Sequence, residues 1–264
     1  MAATQPIEVG YWSIRGLAAP LRMMVMYAGH PLKVVSYDLK ENSDGDGFDG
    51  SSWFSAKTTL KEKNPLINLP YVKDGDKLIA QANACFLYLG RKLNMLGSNE
   101  EELEACEQLL CEIMDLRNKM TTFAYDSNSS HGEAAVMIDH IVSKNGILQK
   151  LELWLQNEVT VKGHSGTFLV GNKATAPDFH LWELLEQYEA LAKFYELPHP
   201  LASFIYLKTF KSRFAERPEN AKYLSSNLVK MPFNNKVAVF GATLSNDRWK
   251  FGMEYEFDAY GGVY

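Results

Sequence analysis

Two hydrophobic periodicities share this 264-residue chain, and they change over near residue 93. Before that point, short runs with two-residue alternation take turns with helix-length stretches. After it, apolar residues recur at spacings of three and four. That order excludes an all-β fold and a single helical bundle, and it predicts an α/β unit followed by an all-α one. Residues 7–11 alternate as a strand, and residues 17–27 read as a helix with Pro20 in its first turn and Gly29 beyond its end. Residues 32–38 read as a second strand. Residues 41–52, ENSDGDGFDGSS, are expected to be a loop, and a polar stretch follows Trp53 through Lys63. In residues 66–72 a strand-like run contains Pro70, which places it at an edge or kink; a cis Leu69–Pro70 bond is one explanation. Asp74-Gly75-Asp76 turns the chain into Leu78-Ile79-Ala80, and a helix is expected over residues 81–92.

In the second half, Leu103, Cys106, Leu110 and Met114 share a helical face, as do Leu148, Leu151 and Leu155. Thr175-Ala176-Pro177-Asp178 is a capping box with Pro in the first turn, and it opens an apolar helix through Leu191. Pro198 and Pro200 precede another helical stretch over residues 201–214. The chain thus reads as a β/α unit to about residue 90, a linker around 93–100 and helices to about 227, with no internal repeat.

Composition narrows the function classes. With 46% apolar and 12% aromatic residues, a packed core is expected. The net charge of −5 argues against nucleic-acid binding. Cys85, Cys106 and Cys111 form no paired framework; Cys106 and Cys111 read as small buried hydrophobes in a reducing compartment. The six histidines lack ligand spacing, so no metal site is expected. The N-terminus has no secretory pattern and no apolar run spans a membrane, so a soluble cytoplasmic protein is the expectation.

The chemistry concentrates at Tyr11-Trp12-Ser13-Ile14-Arg15-Gly16-Leu17. A lone Tyr at a strand end is ordinarily core, but here the surrounding residues favour a site. A neutral phenol, with a pKa of about 10, can donate a hydrogen bond at pH 7 to a group best bound as an anion, such as a thiolate.

YWSIRGL, the central NLPYV, then QANACFLYLGRK, then GNKATAPDF in a helical half together make the chain similar to cytosolic glutathione S-transferases, most of all the mu class, over residues 7–241. The resemblance implies α/β plus all-α: a thioredoxin-like domain over residues 1–92, a glutathione-transferase-type helical domain over 100–241 and an extension over 242–264. It implies glutathione as co-substrate, no other cofactor, hydrophobic electrophiles as second substrates and a homodimer. Tyr11 would donate to the glutathione sulfur. Stabilising a thiolate by about 2 to 3 kcal/mol lowers its pKa by roughly two units, from an ordinary value of about 8.5. Trp12 and Leu17 would line the site, while Trp53 and Lys57 would hold the glycyl carboxylate. Asn68, Leu69 and Pro70, the last as the family's cis-proline, would present backbone to the cysteinyl residue. Gln81 and Ala82 would receive the γ-glutamyl end at a helix N-terminus. Asp115 would reach the γ-glutamyl amine from the partner subunit, and Tyr125 would stand in the electrophile pocket.

Three departures stand out. Ala82 occupies a position where the family has Ser, which predicts weaker glutathione binding. Leu66 replaces the aromatic key of the dimer, and Gly50 replaces a basic residue ahead of Trp53. The chain also continues beyond Gly241 with Trp249, Phe251, Tyr255, Phe257, Tyr260 and Tyr264, an extension that would cover the electrophile pocket, pack on the helical domain, join the dimer or stay mobile. The competing function is a non-catalytic binder of apolar ligands on the same fold. Glutathione-dependent peroxidase or isomerase work would use the same thiolate.

Overall fold

The computed structural model describes residues 5–43, 45 and 47–242. Strand β1 (Ile7–Trp12) is central in a four-stranded sheet ordered β2-β1-β5-β6. It runs parallel to β2 (Leu32–Tyr37), with Val9 opposite Val34, and antiparallel to β5 (Tyr71–Asp74), with Val9 opposite Val72. β6 (Lys77–Ala80) completes the hairpin with β5. A parallel pair needs a crossover, and helix α1 (Ala18–Tyr27) supplies it, buried from Ala18 to Met26.

The expected loop over residues 41–52 contains more structure than its composition suggests. Two-residue strands β3 (Lys40–Glu41) and β4 (Phe48–Asp49) pair across it, and helix α2 (Ser51–Lys61) already begins at Ser51. The Asp49 carboxylate accepts hydrogen bonds from the Ser51 amide at 2.7 Å and its hydroxyl at 2.9 Å. Trp53 is the one buried residue of α2, so the helix has almost no apolar periodicity to read. It is held by one indole, packed 5.1 Å from Tyr37 and 6.4 Å from Tyr71 between ring centres. In the run over 66–72 the strand begins only at Tyr71, and the Leu69–Pro70 bond is cis. Helix α3 (Ala82–Lys92) follows β6.

The helical half opens at α4 (Glu100–Tyr125), capped by the Asn99 side chain, which accepts from the Glu102 amide at 2.9 Å. α5 (His131–Val142) starts at a Ser130/Glu133 capping box, and α6 (Ile147–Thr160) follows. α7 (Ala176–Phe194) is the buried axis of this half. The expected capping box forms there: Asp178 accepts from the Thr175 amide at 2.6 Å, the Thr175 hydroxyl at 2.9 Å and the Leu169 amide at 2.6 Å. α8 (Ile205–Ala215) and the single turn α9 (Ala221–Leu224) lead to a 3-10 turn ending at Lys230. α1 packs on α7, and one apolar cluster runs through both halves.

One expectation is corrected. Cys106 is buried as expected, its thiol pKa pushed up to about 12 by burial, but Cys111 is exposed, on another face of α4. Among the described residues the last helical turn ends at Lys230, close to the expected limit near 227. Residues 231–242 return to the first half, where Pro232 and Phe233 carbonyls accept from the Arg15 and Gly16 amides at 2.7 and 3.1 Å. The aromatic-rich extension beyond Ala242 lies outside the described residues.

Candidate functional site

Tyr11 stands near the C-terminal end of β1 with its ring buried. Gly16 makes room for it: a Cβ there would lie 2.5 Å from the Tyr11 ring, at a φ of +39° that side chains rarely adopt. The loop between them is fastened by Ser13 N–H to Tyr37 O at 2.8 Å and Ile14 N–H to Trp12 O at 2.7 Å. Strand register then brings the other expected residues to the same end of the sheet. Gly10 lies opposite Tyr71, and Tyr71 lies opposite Ala80. Tyr11, Pro70 and Gln81 therefore lie side by side at one end of three adjacent strands, Tyr11 inside β1, Pro70 just before β5 and Gln81 just after β6.

Pro70 is buried, Leu69 half-buried and Asn68 exposed. Gln81 is exposed at φ 72°, directly ahead of α3, and no side chain caps that helix. The amides of its first turn therefore stay free to meet a carboxylate. Ala82, the first residue of α3, is half-buried. Trp12 is half-buried and Leu17 buried at the loop's far end. Trp53 is buried with the Lys57 ammonium 5.6 Å from its ring centre.

Facing Tyr11 across the two halves is one stripe of α4, Arg117, Thr121 and Tyr125, at successive spacings of four. With Tyr11, His180 and Asn234 these side chains wall a narrow, partly open cavity of about 20 Å³. The Tyr125 hydroxyl accepts from the Asn235 amide at 2.9 Å, and burial pushes its pKa up to about 12, so it stays protonated. His180 stacks on Phe86 at 4.7 Å; burial drives its pKa down to about 3, so the ring is neutral. Below them lies a buried ion pair, Arg15 with Glu183, at 2.6 Å from Nη2 and 3.2 Å from Nε. Gln187 donates to the other Glu183 oxygen at 2.9 Å, and the Arg15 guanidinium sits 4.6 Å over the Phe233 ring.

Asp115 is not part of this assembly. It is exposed in a groove of about 1050 Å³ between α4 and α5, beside Glu112, Lys119 and Lys150. That groove is an open surface furrow, whereas the space beside Tyr11 is narrow, with Asn234 of the returning segment in its wall. Sequence reading placed Arg15 in the Tyr11 motif without a role and missed Arg117, Thr121, His180, Glu183 and Asn234 as members of the Tyr11 neighbourhood. The spacing of Arg117, Thr121 and Tyr125 was the one available signal; the others meet only through the packing of α7 and the returning C-terminal segment.

Comparison with known proteins agrees with this architecture. Residues 7–91 match the family model of the glutathione S-transferase N-terminal domain, and residues 114–227 match that of the C-terminal domain. The chain belongs to the glutathione S-transferase family. Among the relatives of this family member are glutathione S-transferase Mu 5 of Rattus norvegicus, 33% identical over 244 residues, and glutathione S-transferase Mu 3 of Homo sapiens, 32% identical over 244 residues. Each alignment covers 91% of this chain and 98% of the relative. The Pi-class glutathione S-transferase structure of Onchocerca volvulus superposes with a TM-score of 0.68 at 28% identity, covering 89% of this chain and all (100%) of the other. The glutathione S-transferase Blo t 8 crystal structure has the same fold, with a TM-score of 0.74 at 24% identity over 89% of this chain and 99% of that one. No described helix of this transferase is long and apolar enough to cross a membrane.

Proposed function

We propose that this family member is a mu-like transferase that conjugates reduced glutathione, as its thiolate, to hydrophobic electrophiles. The observation that carries this reading is the convergence of Tyr11, cis-Pro70 and the uncapped N-terminus of α3 at one end of the sheet. Tyr11 donates to the sulfur; Leu69 and Asn68 face the tripeptide backbone; Gln81, Ala82 and the α3 amides take the γ-glutamyl carboxylate. Trp53 and Lys57 take the glycyl end, and Trp12 and Leu17 close the sides. Tyr125 serves the electrophile from α4. Asp115, on the outward face of α4, serves the γ-glutamyl amine of a partner subunit, which makes the working form a homodimer in the cytoplasm. Residues 1–92 then form the glutathione-binding unit, residues 100–241 the electrophile side and residues 242–264 an added segment.

The reaction needs no covalent enzyme intermediate. The thiol loses its proton to solvent water, and the sulfur lone pair forms a bond to an electrophilic carbon. With a chloronitrobenzene, chloride leaves with the electron pair of the C–Cl bond. The test is the rate of that conjugation for wild type beside Tyr11→Phe. A fall in kcat/KM of tenfold or more, equivalent to about 1.4 kcal/mol, with glutathione still bound, supports Tyr11 as the thiolate donor. Equal rates for the two proteins would refute that role.

A second reading is favoured by the narrow 20 Å³ space beside Tyr11 and by Ala82: a binder of glutathione or apolar ligands without turnover. Glutathione binding with no conjugation by wild type is its signature.

A further inference from the structure

The wall facing Tyr11 contains three ionisable groups besides the phenols, and their charges do not cancel. Glu183 is neutralised by Arg15 at 2.6 Å. His180 is buried and its ring nitrogens have no hydrogen-bond partner among the described residues. Arg117 remains. It is half-buried, and its one described hydrogen bond is a long 3.4 Å contact from Nη1 to the side chain of its neighbour Asn118. No carboxylate among the described residues lies within ion-pair distance of it. The other arginine beside this wall, Arg15, is engaged with Glu183. The polar groups that line the same cavity from the other elements are Tyr11 of the first half, His180, Glu183 and Gln187 of α7, and Asn234 of the returning segment. None of them supplies an uncompensated negative charge.

We infer that Arg117 is a specificity-determining residue that selects electrophiles bearing a carboxylate, its guanidinium serving as the anion's counter-charge beside the reacting carbon. A guanidinium matches the two oxygens of a carboxylate with parallel N–H donors. Half-burial keeps its field stronger than that of a surface cation. Its place on α4, two turns before Tyr125, puts it on the stripe that faces Tyr11. The inference rests on the conjugating function proposed above and assigns its substrate class.

A ring-substituted 4-phenyl-3-buten-2-one suits the test. The thiolate lone pair forms the C–S bond at the β-carbon, and the alkene π pair moves onto the carbonyl oxygen as an enolate. The α-carbon then takes a proton from water, and the hydroxide left behind neutralises the proton lost by the thiol. Two acceptors are compared, one with a ring carboxylate and one with the carboxamide in its place, each rate normalised to its uncatalysed reaction with glutathione. The expected wild-type kcat/KM ratio favours the carboxylate by about tenfold, an energy of about 1.4 kcal/mol. In Arg117→Met that ratio falls to about one, and Arg117→Lys restores part of it. Thermal melting and glutathione affinity, read by calorimetry, establish that each variant is folded and loads its first substrate. A wild-type ratio near one, or a ratio that Arg117→Met leaves unchanged, overturns the inference while leaving the transferase reading intact. Glutathione binding without turnover of either acceptor by wild type overturns the conjugating function, and the inference with it.

Discussion

At the residue scale, two substitutions separate binding from stability. Ala82 sits where backbone amides of α3 are left without a side-chain cap. Adding a hydroxyl there offers one more donor to a carboxylate, and a hydrogen bond to a charged group contributes about 1.5 to 3 kcal/mol. Ala82→Ser is therefore expected to tighten glutathione binding by at least tenfold in Kd, measured by calorimetry; equal affinities would show that the α3 amides already satisfy the carboxylate. His180 governs a pH dependence instead. Burial holds its folded pKa near 3 against an ordinary 6.5. Above about pH 6.5 neither folded nor unfolded chain carries that proton, and its contribution to stability is complete. As pH falls from 6.5 towards 3, the unfolded chain takes up a proton that the folded one refuses. Stability then falls by about 1.4 kcal/mol per pH unit from this group alone. Denaturation of His180→Leu between pH 6.5 and 4.5 is expected to give a shallower slope than wild type by about that amount. Tyr11 was legible at this scale, because its phenol lies in a local motif. His180 was not, because nothing near it in the chain reports what packs on it.

At the element scale, legibility followed the strength of local signals. α7 announced itself through Thr175, Pro177 and Asp178, and the capping box formed as read. Its Asp178 joins the N-terminus of the helix to Leu169 upstream. Asp178→Ala removes three hydrogen bonds and leaves two buried amides unpaired, so a loss of about 2 to 4 kcal/mol is expected in urea denaturation. A loss below about 1 kcal/mol would mean that other groups satisfy those amides. α2 was missed for the opposite reason. Its apolar residues do not form one buried stripe, Phe54 being exposed, and its place depends on Trp53 docking between Tyr37 and Tyr71, residues 16 and 18 positions away in the chain but close in space. The strand expected over residues 66–72 was half right. Pro70 correctly marked a break, but pairing begins only after it, where Tyr71 meets both Gly10 and Ala80.

At the scale of the whole molecule, the two halves are locked by charge as well as by apolar packing. Arg15, from the loop after β1, is buried against Glu183 of α7 and donates to Val229 O at 3.1 Å. Arg15→Met leaves Glu183 buried without its counter-charge and is expected to destabilise the protein by about 3 to 5 kcal/mol in equilibrium denaturation. Arg15→Met combined with Glu183→Leu is expected to recover most of that loss, because the second change removes the orphaned charge; a double variant as unstable as the single would show that Arg15 acts through its other contacts. The sequence by itself determined the order of an α/β and an all-α half, the start of α7, the break at Pro70 and the place of Tyr11 at a strand end. Each of these is encoded in residues close together in the chain, where periodicity, capping and proline geometry act locally. Only the tertiary structure decided what faces Tyr11: the Arg117 stripe of α4, neutral His180, the Arg15–Glu183 pair and the returning residues 231–242. Those groups are separated by more than two hundred positions at the extreme, and their charge states and partners exist only after the helical half has packed against the sheet and excluded water between them.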